Sequence, residues 1–175
     1  FETYTASPLV APDGLSVPAT AYPITVGAGG AADNSPPYSN GASGSNSVFS
    51  TITSAGGGGG GRNNCTPGGI AGGSGSGAGS VAPHTPRAGG AGNTPPVSPP
   101  QGNPGGTAQN TAPQYSTGGG GGAGGAGGDS SAPLGGAAGT GVTTHVSGSP
   151  VGYAGGGAGS NDSPGNQGTP AGPFG

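Results

Sequence analysis

Glycine fills 48 of the 175 positions and gathers into unbroken runs at residues 56–61 and 118–122. It brings no side chain to a core and loses more backbone freedom on ordering than any other residue. A chain built this way either stays unfolded or is held by backbone-to-backbone hydrogen bonds between extended segments. Proline supplies a further 20 residues, while apolar residues make up only 27% and aromatics 5%, so little conventional hydrophobic core is expected.

Charge argues for order. Disordered chains usually stay soluble through many charged residues, yet here only 4% of residues are charged, Lys is absent and the formal net charge is −3. The polar surface comes from Ser, Thr and Asn. With no basic footprint, nucleic-acid binding is not expected. Nothing approaches the roughly 20 apolar residues of a membrane-spanning helix, so no membrane insertion is expected. Beginning at Phe1 rather than Met, the chain reads as a fragment or a processed product. The single Cys65 allows no intrachain disulfide, which shifts the expected source of stability to self-association.

The expected fold class is non-helical and Gly-rich, because Gly and Pro interrupt every candidate helix. Short β-like segments stand out at residues 1–10, 21–26, 47–53 and 142–146, the last followed by Val151 and Tyr153. Pro23 implies that the second is an edge strand or a strand start. In the third, alternation sets Val48, Ser50 and Ile52 on one face and Phe49, Thr51 and Thr53 on the other. An internal echo links residues 49–58 and 147–157: each passes from a strand-like stretch through one Ala, Ala55 or Ala154, into a glycine run.

Within residues 118–128, Ala123 and Ala126 interrupt the glycines at a spacing of three. Three residues per turn is the repeat of the extended polyproline II helix, whose backbone groups all point outward. Glycine lets such helices approach and hydrogen-bond as a polyglycine II bundle, with small polar residues on the outer wall. The Pro-rich stretch at 93–104 favours the same extended backbone. Collagen is excluded because the every-third glycine lapses after residue 61. Residues 73–80 alternate as silk does, but only locally. The expected organisation is residues 1–61, strand segments ending in the first glycine run; 62–117, an extended and loop region; and 118–175, a second Gly-rich unit.

No catalytic constellation is present, and no enzyme activity, cofactor or metal is expected. His84, His145 and Cys65 lack metal-ligand spacing. Glu2, Asp13, Asp33, Asp129 and Asp162 stand singly, without a partner for acid–base work or a calcium-loop pattern. Windows matching GxGxxG follow from the glycine content and sit in no strand–helix unit. Asn64-Cys65-Thr66 and Asn161-Asp162-Ser163 are formal glycosylation sequons, and the PxxP matches at 83–86 and 96–99 lack an orienting basic residue.

Residues 20–30 (Thr-Ala-Tyr-Pro-Ile-Thr-Val-Gly-Ala-Gly-Gly) and 46–61 resemble the glycine-rich domain of bacteriophage tail fibres and receptor-binding adhesins of environmental or marine type. So do Pro-Pro-Val-Ser-Pro-Pro-Gln-Gly-Asn at 95–103 and the Gly-Ser-Pro-Val-Gly-Tyr-Ala-Gly-Gly-Gly segment at 148–157. The resemblance implies an extracellular virion protein in which a polyglycine II bundle displays variable loops to the host. Loops at 33–45, 62–67, 83–87 and 108–116 would then carry Tyr38, Arg62, His84, Arg87 and Tyr115 to a cell-surface glycan or outer-membrane protein. Partners expected on this reading are that receptor and further copies of the chain, as a homotrimer or fibre. Alternatives are a purely structural extracellular filament and an antifreeze-like polyglycine II protein.

Overall fold

Strands form where β-branched and aromatic residues concentrate. In the computed structural model, which describes residues 16–33, 39–80, 85–109, 115–145, 147–162 and 167–170, there are five: β1 (Ile24–Thr25), β2 (Ser47–Phe49), β3 (Ile52–Ser54), β4 (Val142–Thr144) and β5 (Val151–Tyr153). All pairings are antiparallel, in the orders β1-β2-β3 and β4-β5. No helix occurs among the described residues. The β-like stretch at 1–10, and Val146, lie outside the described residues. Pro23 immediately precedes β1, which is the edge of its sheet, as expected.

Residues 47–53 differ from the single alternating strand expected. The chain reverses at Ser50-Thr51, setting Phe49 opposite Ile52 and Val48 opposite Thr53. Ser50 takes a φ of 54°, the left-handed value that a two-residue hairpin loop needs at its first central position. Residues 142–153 form a second hairpin in which Val142 faces Tyr153. The two echoed segments are thus equivalent in structure, each being the return strand of a hairpin that leads through Ala55 or Ala154 into glycine. Tyr22 packs on Phe49 with ring centroids 5.5 Å apart.

Outside the strands, backbone hydrogen bonds join extended segments with a repeat of three. Thr117, Gly120 and Ala123 donate N–H to the carbonyls of Ser160, Gly157 and Ala154. Gly118 and Gly121 donate to Ala78 and Gly75, and Gly119 and Gly122 to Gly128 and Gly125, all at 2.8–3.0 Å. Successive residues address three neighbours in rotation. A β-ladder, with its period of two, cannot do this. Likewise Gly41 and Gly44 donate to Gly60 and Gly57, while Ala42 and Ser45 donate to Ala31 and Ala28. The run at 118–128 is therefore two segments, since the pairs 119–128 and 122–125 fold it back on itself. Ala123 and Ala126 stand on opposite sides of that reversal.

This bonding sorts the glycines. In the run 56–61, a Cβ on Gly56, Gly58, Gly59 or Gly61 would lie 1.9–2.3 Å from a neighbouring carbonyl oxygen. A Cβ on Gly57 would meet one atom at 4.0 Å, and a Cβ on Gly60 would meet nothing within 4 Å. The open positions are three apart. The usual inside and outside are reversed. Ala78 and Ala108 are the buried hydrophobic residues among those described, whereas Ile24, Val26 and Ile52 are more than half exposed.

The Pro-rich stretch does not continue as an extended segment. Asn93 gathers it into a corner, its Nδ2 donating to the Val97 carbonyl (3.0 Å) and its Oδ1 accepting from the N–H groups of Val97 and Gln101. An Asn side chain competing for local backbone groups favours such a turn. Gln101 then accepts the Ala55 N–H through Oε1, seating the corner beside the hairpins.

Candidate functional site

The register of the bundle brings chain reversals to the end opposite the hairpins. Asn64 N–H donates to Ser80 (2.9 Å), Arg87 and Ala108 exchange both backbone bonds, Thr117 N–H donates to Ser160 and Ser130 N–H to Thr107. The turns at 62–67 and 131–134 therefore share an end with the residues flanking 34–38, 81–84, 110–114 and 163–166.

Side chains spaced by three hold the first of these loops. Asn46 Oδ1, Ser43 Oγ and Asn40 Oδ1 accept the N–H groups of Gly56, Gly59 and Arg62 at 3.1, 3.3 and 2.7 Å. They replace carbonyl acceptors along one side of the glycine run. Asn40 also donates from Nδ2 to the Pro67 carbonyl (2.7 Å), spanning the 62–67 turn. Inside that turn Cys65 N–H returns to the Arg62 carbonyl (3.3 Å) and Asn64 takes a φ of 62°, which Asn tolerates better than most residues.

Both arginines anchor this turn to neighbouring chain. Arg62 donates from Nη1 to the Asp33 carbonyl (3.3 Å). Arg87 donates from Nη1 to the Cys65 carbonyl and to Thr66 Oγ1 (3.1 Å). The Asp33 carboxylate accepts the N–H and the hydroxyl of Ser39, each at 2.6 Å. Arg62 and Arg87 are half-buried and tie three stretches of chain together around one turn. A groove of about 390 Å³ lies beside Arg62, which lines it with Gly60, Asp33 and Ser39 among others.

Tyr115 belongs to the same end but to a second cluster. Its carbonyl accepts the Asp162 N–H (3.2 Å), and Ser116 bridges Asn161. Beneath it, Gln109 N–H donates to Ser130 Oγ (2.9 Å), which donates on to the Ser116 carbonyl (3.3 Å). The fold thus groups Arg62 with Arg87 and sets Tyr115 apart. Tyr38 and His84 lie outside the described residues. Part of the expected 33–45 loop is bundle, since Gly41, Ala42, Gly44 and Ser45 all donate to neighbouring segments.

Sequence reading passes over Asn40 and takes Asp33 only as a lone acid, although both organise the site. The available signal was Asn40, Ser43 and Asn46 at the same spacing of three as the residues they serve. Among the described residues, no group of three or more His, Cys, Asp or Glu side chains is placed to hold a metal ion. No helix among them is long and apolar enough to cross a membrane. His145 directly follows β4 at the hairpin end, whereas Cys65 lies in the 62–67 turn.

No curated protein and no solved structure matches the chain. The family described as "Glycine-rich domain" matches residues 3–175. With the match spanning nearly the whole sequence, and with glycine as the residue through which its segments touch, the chain belongs to the glycine-rich domain family.

Proposed function

We propose that the chain is a structural and host-receptor-binding part of a bacteriophage tail fibre or tip, an extracellular element of the virion. Its extended segments form a polyglycine II bundle, and the loops at one end of that bundle make contact with a cell-surface glycan or outer-membrane protein. The observation that carries this reading is the rotation of backbone bonds among three neighbours along residues 117–123. Such bonding makes a stiff rod from residues that need no side chains, and it leaves the reversals free to vary. Arg62 and Arg87 supply planar donors suited to a carboxylate, phosphate or sugar hydroxyl, and Tyr115 supplies an amphipathic ring. Further copies of the chain, as a homotrimer, complete the fibre.

Exchanging residues 33–39, 62–67, 81–87 and 109–116 together between related fibres tests this reading. A change in host range is the expected result, and an unchanged host range overturns the receptor role. Negative-stain microscopy separates a small closed oligomer from the open filaments that a purely structural subunit would build.

A further inference from the structure

Along residues 57–61 one side of the segment lacks the neighbour found on the others. The carbonyls of Gly57 and Gly60 accept from Gly44 and Gly41, and Gly58 N–H donates to Ser74. Among the described residues, however, the N–H groups of Gly57 and Gly60 and the carbonyls of Gly58 and Gly61 have no hydrogen-bond partner. Each pair is three residues apart. Across from them the carbonyls of Gly155 and Ala158, again three apart, also lack one. All of these residues line a single groove of about 600 Å³, and Gly57, Gly60, Gly157 and Ala158 are exposed along it.

Three exposed glycines of this groove, Gly57, Gly60 and Gly157, are ones the fold does not require. A Cβ on Gly60 or Gly157 would meet nothing within 4 Å. Between segments already docked, by contrast, a Cβ on Gly59 would lie 1.9 Å from the Gly41 carbonyl oxygen. Bare backbone is demanded where another backbone lies against it. We propose that this groove takes an extended, glycine-rich strand from another protein chain, which docks as one more member of the bundle. The unpaired donors and acceptors recur every third residue, an axial spacing of about 9 Å in a chain with three residues per turn. That is the repeat of the occupant as well as of the walls. The lining holds Gly, Ala, Ser, Thr and Gln and no aromatic side chain, so it offers no platform for a sugar ring. Residues 55–61 span about 20 Å at polyproline II rise, room for a strand of six or seven residues.

The inference rests on the bundle half of the proposed function and not on the receptor half, so the loop exchange leaves it untouched. The probe is a fluorescent peptide copying residues 118–128, with two added lysines for solubility, titrated against the whole chain by anisotropy. Saturable binding is expected. Gly60→Val and Gly157→Val, at groove-lining positions where a Cβ meets nothing within 4 Å, should each weaken it at least about tenfold. The melting temperature of both variants should stay at the wild-type value, which reports the bundle separately. A peptide of N-methylglycine, lacking N–H donors, should not bind. Absence of saturable binding, equal binding by the valine variants, or equal binding of the N-methylglycine peptide overturns the proposal. So does an oligosaccharide that displaces the glycine peptide and is itself lost in Gly60→Val.

Discussion

The glycine bundle and the two hairpins hold the same chain together by opposite means. In the hairpins, β-branched and aromatic residues pair across short ladders, as at Phe49 with Ile52, and much of their apolar surface stays exposed. In the bundle, almost nothing apolar is buried, and adhesion comes from N–H and C=O groups meeting three neighbours in turn. A hairpin tolerates a changed side chain because side chains stand off the sheet. The bundle does not, because its segments touch through their Cα atoms. Where backbone is the packing surface, one methyl group is an obstruction.

That contrast is broken most severely by Gly119→Ala, whose Cβ would lie 1.9 Å from the Ala137 carbonyl oxygen. The segments must separate, and a loss of about 3 kcal/mol or more is expected in chemical denaturation. An unchanged midpoint would show that the bundle yields as freely as a hairpin. Asn40→Ala comes next. It removes the acceptor of Arg62 N–H and the donor to the Pro67 carbonyl, for about 1–2 kcal/mol. Faster hydrogen exchange at the Arg62 amide, with glycine amides near the hairpins unaffected, would localise the effect to the loop end.

In the hairpins the expected changes are smaller and of the opposite sign. Ser50→Gly relieves a left-handed residue at φ 54° and should stabilise by about 0.5 kcal/mol, read as a raised melting temperature. The smallest effect belongs to Gly60→Ala, placed where a Cβ meets nothing within 4 Å. It should leave stability within about 0.5 kcal/mol of wild type, or raise it slightly through a less flexible unfolded state. Measured beside Gly119→Ala, it separates the demand of packing from the propensity of glycine itself.

Much of the fold is legible in sequence, but unevenly. Ile24, Val48, Ile52, Val142 and Val151 mark the strands through their β-branching. The reversal at Ser50-Thr51 escapes notice because neither residue is the Asn or Gly that announces a tight hairpin. The repeat of three is detectable from Ala123 and Ala126, yet those two residues lie on separate segments, and the bonding that carries the repeat runs through neighbours distant in sequence. At the loop end, Arg62 and Arg87 are conspicuous as the only two cationic residues of Lys or Arg type. The reach of Arg87 to Cys65 and Thr66 is not legible, because it depends on how residues 62–67 and 87 are brought side by side.

Composition by itself determined that helix is disfavoured in this chain and that little apolar side chain is available for a core. Only the tertiary structure decided which glycines are indispensable. Gly59 and Gly60 are adjacent members of one run, indistinguishable to any local reading. One faces the Gly41 carbonyl at contact distance and the other faces open space. The difference lies in the segment across the way, because a methyl group's cost is set by the atom it strikes and not by the residues on either side of it.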